Sequence, residues 1–310
     1  MMTAVRIHRF GGPEVLERDA VPIPQPEDDE VLVRIHAASV NPVDYKTRSG
    51  SYPAVREGDL PKILGRDLSG TVESCGTRAH TLRKGDAVFA LLGRERGAYA
   101  EYAVVKAVEM AAKPASLDHV QAAAVPLAAL TAWQGLFEHG GLGPGQRVLI
   151  HGGAGGVGHF AVQFAKTRGA HVATTVSAGD LDFARALGAD QVIDYKGQRF
   201  EDEVRDLDMV LDLVSGETRE RSWAVLRKGG ILVSSLGQPD EAKAAAHGVR
   251  ASGYVAQPDA AALAEIGRLI DDGAVRVTVA RTFPFERVGA AQDALEHGHL
   301  RGKVVLTMAP

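Results

Sequence analysis

The sequence predicts an α/β protein built in two parts: a partly open barrel or sandwich of short strands, and a doubly wound parallel sheet. Three observations carry this expectation. Residues 3–110 are a string of short β-rich runs broken by glycine and proline turns. From about residue 117 onward, strand patterns alternate with helical ones. Residues 147–151 run directly into Gly152-Gly153-Ala154-Gly155-Gly156-Val157-Gly158, after which Phe160, Ala161, Phe164 and Ala165 recur at helical spacing.

In the first part, strands are expected over 3–7, 30–38, 68–73, 86–90 and 98–105. Gly11-Gly12-Pro13, Asn41-Pro42 and Lys84-Gly85-Asp86 are read as the turns between them. Helices are expected over 118–125 and 128–139. The alternating part places strands at 147–151, 170–176, 191–194, 209–213, 230–236 and 249–255, with helices between them, including 157–167 and 180–187. Residues 259–271 read as a further helix. Residues 275–308 return to strand, helix and strand, which suits completion of the first part. There is no internal repeat and no low-complexity segment.

Composition bounds the function. The chain has 310 residues, which suggests two domains, and its 45% hydrophobic and 24% charged residues are those of a globular protein. A formal net charge of −4 supplies no basic field for nucleic acid. A single cysteine, Cys75, leaves no disulfide framework and no cysteine-rich metal module; a small buried residue is expected there. No apolar run approaches the ~20 residues of a membrane span. With no charged-then-apolar leader in view, a cytoplasmic location is expected.

Gly153-x-Gly155-x-x-Gly158 gains its weight from lying between a strand and a helix. The glycines permit a tight turn, let the backbone approach a pyrophosphate, and bring helix and strand together. The helix start then turns N–H groups toward the phosphates. This predicts a dinucleotide site, with Gly153, Ala154, Gly155, Gly156 and Val157 over the pyrophosphate. An acidic residue about 20 positions on would select NAD, by bonding the ribose 2′-hydroxyl. The second strand of this part ends instead in Ser177, which leaves room for a 2′-phosphate. No Lys or Arg follows directly, and Asp180 and Asp182 lie just beyond. The reading favours NADPH and leaves NADH open.

Several motifs, taken together, resemble one family. Asn41-Pro42-Val43-Asp44, Arg48-Ser49-Gly50-Ser51-Tyr52-Pro53, Gly65-Arg66-Asp67-Leu68-Ser69-Gly70, Gly97-Ala98-Tyr99-Ala100-Glu101-Tyr102, Leu130-Thr131-Ala132-Trp133 and Arg301-Gly302-Lys303-Val304-Val305-Leu306 match, in order, the zinc-independent medium-chain dehydrogenase/reductase superfamily. Within it the chain looks most like the quinone oxidoreductase, or ζ-crystallin-like, branch. The resemblance implies a GroES-like catalytic domain over 1–124, completed by 274–310, and a Rossmann domain over 125–273. It implies a homodimer formed through the sheet edge at 249–255, and a cleft between domains shared by cofactor and substrate.

Zinc-dependent relatives hold a Cys where this chain has Asn41, a His where it has Arg66, and another Cys near 127–131. A catalytic zinc wants three Cys, His or carboxylate ligands, so no metal is expected. His297 and His299 read as solvated turn residues. Without a metal Lewis acid, the expected reaction is hydride transfer from NADPH to a quinone or an α,β-unsaturated carbonyl.

The resemblance makes Tyr52 the first candidate donor to the acceptor oxygen, with the alternative that it is only a pocket wall. Asn41 is a second candidate, toward the nicotinamide ribose or the acceptor, and Asp44 is expected to play a supporting role in the same turn. Tyr45 is divided between pocket and packing. Thr131, Ser234 and Leu236 are placed near the nicotinamide, Ser177 and Tyr195 at the adenosine end, and Lys303 at the cleft. Rival readings are a zinc-type alcohol dehydrogenase and a non-catalytic protein that binds NADPH or RNA.

Overall fold

The computed structural model describes residues 1–308 and divides into two compact units: Met1–Leu127 with Gln257–Gly273 and Val277 onward, and Ala128–Ala256 with Ala274–Arg276.

The first unit begins with eight strands: β1 (Met2–Ile7), β2 (Leu16–Val21), β3 (Glu30–Val40), β4 (Lys62–Ile63), β5 (Asp67–Cys75), β6 (Ala87–Leu91), β7 (Tyr102–Lys106) and β8 (Met110–Ala112). The second unit contributes β9 (Arg147–His151), β10 (His171–Val176), β11 (Gln191–Asp194), β12 (Leu207–Asp212), β13 (Leu226–Ser234) and β14 (Arg250–Gly253). The chain then returns to the first unit with β15 (Val279–Pro284) and β16 (Lys303–Thr307).

The long strand β3 organises the first unit. One edge pairs with β5 along nearly its whole length. The other edge is shared: its first half pairs with β7 and its last residues pair with β16. The result is a seven-stranded sheet in the order β15-β16-β3-β5-β6-β8 with β7 on β3, beside a three-stranded sheet β2-β1-β4. Alternate residues Val31, Val33 and Ile35 enter a core with Leu68, Val72, Tyr99, Val304 and Leu306, as the two-residue period of a half-buried strand requires.

Three expectations for this unit are corrected. Asn41-Pro42 opens a helix, Pro42–Arg48, rather than a turn. Proline suits the first helical position, and the Asp44 carboxylate accepts the Asn41 N–H at 2.7 Å. The run 98–105 is not one strand. Its first residues lean on β1, through Val5 N–H to the Tyr99 carbonyl at 2.8 Å, and only Tyr102–Lys106 joins β3. One apolar run therefore serves two sheets. Cys75 is half-buried, not buried, with its thiol 3.5 Å from the Leu82 carbonyl oxygen.

The second unit is a six-stranded, all-parallel sheet in the order β11-β10-β9-β12-β13-β14. From β9 the chain winds outward to β11, then crosses to β12 and winds the other way. The switch point lies between β9 and β12, at the strands' carboxyl ends, where such sheets bind ligands. The helix Gly158–Thr167 follows β9 and buries Phe160, Ala161, Phe164 and Ala165, the face its spacing predicted. The helix expected over 128–139 is Pro126–Trp133 followed by a π-helical stretch, Gln134–His139. Among the described residues no helix is long and apolar enough to cross a membrane.

Candidate functional site

In the second unit the glycine loop lies at the carboxyl end of β9, beside the switch point. Its glycines do different work. A Cβ on Gly153 would run into the Thr174 hydroxyl, and one on Gly158 into the Gly152 carbonyl oxygen and to 2.7 Å from the Gly153 Cα. Both are required by the protein's own packing. A Cβ on Gly155 would meet nothing nearer than the Gly152 carbonyl oxygen at 3.4 Å. The bare backbone at Gly155 thus keeps open a space that no protein atom fills. Among the described residues the Gly156 and Val157 amides take no backbone partner, as expected of a helix start that offers its N–H groups outward. This cradle fits a dinucleotide pyrophosphate.

Ser177 follows β10, and its hydroxyl donates to the buried Asp180 carboxylate at 2.7 Å. Pairing of β10 with β11 brings Tyr195 beside it: the Tyr195 N–H donates to the Val176 carbonyl at 3.1 Å, and the ring is half exposed. Lys196 comes next, with its ammonium 5.8 Å from the Tyr195 ring centre and no carboxylate partner among the described residues. The sequence reading missed Lys196 because it searched for a cation on the loop after Ser177. The cation lies on the neighbouring strand's loop, which parallel pairing sets alongside.

Ser234 ends β13 in a buried network. It donates to Asp212 at 3.0 Å and receives Arg219 Nη2 at 2.7 Å, while Arg219 Nε bonds Asp212 at 2.6 Å. The donors around Asp212 hold its carboxylate below the usual range against the opposing effect of burial. Leu236 lies past the strand end, partly exposed, with its carbonyl accepting from Arg219 at 3.1 Å. Thr131 is buried, and its carbonyl accepts the Tyr254 hydroxyl at 2.5 Å. His151, the residue before the glycine loop, is buried between Thr175 Oγ1 at 3.1 Å and Ser222 Oγ at 2.9 Å. Burial lowers its pKa to about 4, so it is neutral at physiological pH.

In the first unit the structure brings Asn41, Asp44, Asp67 and Lys303 together. Asn41 caps the Pro42–Arg48 helix, Asp67 starts β5 and Lys303 starts β16, and all four side chains are buried. Asn41 Nδ2 donates to Asp67 Oδ2 at 2.8 Å, and Asn41 Oδ1 accepts from the Lys303 ammonium. Both ends of the Asn41 amide therefore have partners within the protein. Asp67 also accepts from the Ser39 hydroxyl and from the Leu127 N–H at 2.6 Å, and lies 3.8 Å from Lys303 Nζ. Burial pushes the Lys303 pKa down, against the pull of Asp67 and Asp44. Asp44 accepts the Asn41 N–H and, at 2.9 Å, the Tyr99 hydroxyl. Burial nevertheless raises its pKa to about 6.

Tyr52 stands apart from this network. It is half-buried in the wall of a recess it shares with Val43, Asp44, Ile63 and Arg66, and its hydroxyl has no partner among the described residues. Arg66 is the second residue that sequence reasoning undervalued, noticing it only for the histidine it replaces. His297 is exposed and pairs with Asp293 at 3.0 Å.

A family model described as "Alcohol dehydrogenase GroES-like domain" matches residues 27–115, and one described as "Zinc-binding dehydrogenase" matches residues 187–306. Human "NAD(P)H oxidoreductase RTN4IP1, mitochondrial" is 36% identical, over 99% of this chain and 89% of its own. The chain belongs to the medium-chain dehydrogenase/reductase superfamily, in its quinone oxidoreductase branch. "NADPH-dependent alkenal/one oxidoreductase, chloroplastic" of Arabidopsis thaliana is 34% identical, over 97% of this chain and 78% of its own. The structure titled as the quinone oxidoreductase from Coxiella burnetii superposes with a TM-score of 0.93 at 36% identity, covering 99% of both chains. The GroES-like and Rossmann-type folds expected from the sequence are those of these relatives.

The zinc in one model's description is not matched by the residues present. The Asn41 amide oxygen is occupied by Lys303, one oxygen of Asp67 serves several donors, and Arg66 brings a second cation. A divalent ion would face Lys303 and Arg66 with no sulfur or imidazole ligand to offset them. Among the described residues, the one cluster of three suitable ligands is His8, Glu17 and Asp19, where Asp19 already bonds Arg6 at 2.6 Å and His8 at 2.8 Å.

Proposed function

We propose that the protein is a zinc-independent reductase that uses NADPH to reduce a quinone or an α,β-unsaturated carbonyl. The observation that carries this reading is the donor set of the first unit. Where zinc-dependent relatives hold metal ligands, this chain has a lysine bonded to an asparagine and, at Arg66, a guanidinium. An alcohol lacks its usual activator in such a site, whereas an already polarised acceptor needs only a hydrogen-bond donor.

The cofactor supplies the hydride; the protein supplies orientation and electrostatics. Gly153, Ala154, Gly155, Gly156 and Val157 hold the pyrophosphate. Ser177, Tyr195 and Lys196 take the adenosine end, and Lys196 favours a 2′-phosphate. The buried Asp180 beneath Ser177 opposes that charge, so NADH remains a usable second donor. Thr131, Ser234 and Leu236 flank the nicotinamide. Lys303 and Asp67 fix the Asn41 side chain and, through it, the start of the Pro42–Arg48 helix.

As the acceptor gains hydride, negative charge builds on its carbonyl oxygen, and the unpartnered Tyr52 hydroxyl donates to it. One such donor is worth about 2.7–4 kcal/mol. The domains are read as 1–124 with 274–310, and 125–273, although the compact units group Gln257–Gly273 with the first. The open edge strand β14 suits a homodimer. A cytoplasmic location remains our reading, although named relatives are mitochondrial or chloroplastic.

The test is oxidation of NADPH and NADH with matched quinones and enones, for the parent and for Tyr52→Phe. The variant is expected to slow enones more than quinones; equal kinetics would leave Tyr52 as a wall. A protein that oxidised neither cofactor with any acceptor, yet shifted RNA on a gel, would be the non-catalytic rival.

A further inference from the structure

The recess beside Tyr52 is strongly basic. Lys62, Arg66, Arg94 and Arg96 all line this shallow recess, which is partly open to solvent. One of these cations is ion-paired, and a second is engaged by a carbonyl. Arg96 pairs with Glu30, lies 3.7 Å from Glu95, and donates to the Val104 carbonyl at 3.1 Å. Lys62 donates to the Arg94 carbonyl at 2.7 Å and feels both Asp59 and Glu95.

Among the described residues, Arg66 and Arg94 keep terminal N–H donors without partners. Arg66 is only 9% exposed. Its Nε donates to the Leu92 carbonyl at 2.9 Å, and among the described residues its two terminal nitrogens have no hydrogen-bond or ion-pair partner. A buried guanidinium left in that state is costly. Burial lowers its pKa despite the pull of Asp44 and Asp67. Arg94 is exposed and has no carboxylate partner among the described residues. The one carboxylate lining the recess, Asp44, is turned to the Asn41 N–H and the Tyr99 hydroxyl. Val43, Val55, Ile63 and Leu64 give the wall an apolar part, and Thr47 and Tyr52 add hydroxyls to it.

We propose that this recess selects acceptors that carry a carboxylate, which Arg66 and Arg94 bind while the apolar wall holds the carbon skeleton. The proposal rests on the reading above that the recess beside Tyr52 is the acceptor pocket. Guanidinium groups are suited to such a ligand because they offer paired N–H donors to its two oxygens.

The experiment compares a vinyl ketone bearing a carboxylate four carbons from its carbonyl with the methyl ester of the same compound. The enone is identical in the two, so only the remote charge differs. With NADPH and the parent enzyme, kcat/KM for the acid should exceed that for the ester by about tenfold or more, the scale of one charge-assisted hydrogen bond. Added KCl should erode the advantage. In Arg94→Met and Arg66→Met the acid-to-ester ratio should fall toward one. Arg94 is exposed, so its variant is informative even where Arg66→Met does not fold.

Calorimetric binding of the saturated keto acid provides a second readout, with weaker binding expected in Arg94→Met. An acid-to-ester ratio at or below one in the parent, or a ratio and a keto-acid affinity both unmoved by Arg94→Met, overturns the proposal. If neither enone is reduced but the keto acid binds in an Arg94-dependent way, the enone reading falls and the anion site stands.

Discussion

Substitution of two glycines in one loop should separate folding from cofactor binding. A methyl group added at Gly158 would lie 2.7 Å from the Gly153 Cα, where carbon atoms normally rest about 3.5–4.0 Å apart. Relieving this requires the loop and helix to separate by roughly 1 Å. Both obstacles are backbone, so no side chain can swing aside, and overpacking of this kind costs about 1–3 kcal/mol. A methyl group at Gly155 meets only the Gly152 oxygen at 3.4 Å, and the fold accommodates it. What it displaces is the pyrophosphate. Loss of one charge-assisted bond from the Gly156 or Val157 amide is worth about 1.5–3 kcal/mol, or roughly 10- to 150-fold in NADPH affinity. Gly155→Ala should therefore melt within about 2 °C of the parent, and Gly155→Val should bind NADPH more weakly still. Gly158→Ala should melt several degrees lower. Calorimetric titration with NADPH, alongside thermal melts of the unliganded proteins, reads both quantities. Parental NADPH affinity in both Gly155 variants would remove the loop from the cofactor site, and a parental melt for Gly158→Ala would refute the packing argument.

Three further outcomes follow from the buried charges and the adenosine end. Asp67→Ala leaves the Lys303 ammonium buried without its carboxylate, so urea denaturation should report a loss of about 3–5 kcal/mol. Asp44 has a pKa raised from 3.8 to about 6, so the folded state holds its proton more tightly than the unfolded state does. Its contribution to stability is therefore present below pH ~4 and is lost as pH rises toward ~6, a change of about 3 kcal/mol. Asp44→Asn should lack that decline, so the parent-minus-variant stability, measured in urea at a series of pH values, should fall across this window. A constant difference would show that the Asp44 carboxyl is not protonated there. Lys196→Ala should raise KM for NADPH about tenfold and leave KM for NADH unmoved; an equal rise for both cofactors would assign Lys196 to something other than the 2′-phosphate.

The parts of the fold that were legible in the sequence are those where burial writes a period. Strands such as β3 and β9 and the helix Gly158–Thr167 have faces that must be apolar, and their patterns survive without knowledge of the partner. The strands that were missed are β2, β4 and β8. β4 has two residues, β8 has three, and β2 reads Leu-Glu-Arg-Asp-Ala-Val with most of its side chains outside the core. Such segments are strands because a neighbour offers backbone partners, which no local pattern records. The helix Pro42–Arg48 was legible in principle: Asn41, Pro42 and Asp44 hold the cap, first and third positions of a helix start. The same residues also make a turn, and seven residues of helix carry too little periodicity to decide between the two. At the site, the glycine loop could be read because its neighbours along the chain supply its context. Lys196 could not, because its relation to Ser177 runs across two paired strands. The Asn41–Lys303 bond joins residues 262 positions apart, and only the return of β16 to β3 creates it.

That bond also gives a physical account of how a site built from these residues would keep its shape without a metal. A zinc ion held by ligands at such a position would draw several side chains inward by charge and ligation. Here the inward pull is supplied by protein groups: the Lys303 ammonium bonds Asn41 Oδ1 and the Val40 carbonyl, and lies against Asp67, which in turn holds Asn41, Ser39 and the Leu127 amide. Strand β16, the start of β5, the end of β3 and the chain near residue 127 are thus tied to one buried cation. A lysine can replace the ion structurally because it is cationic and donates up to three hydrogen bonds. It cannot replace it chemically, because an ammonium satisfied by Asn41 and Val40 offers no open coordination position. The electrophile must then come from a group that the network does not consume. Among the residues that line the adjoining recess, the Tyr52 hydroxyl, proposed above as the donor to the acceptor oxygen, meets that condition.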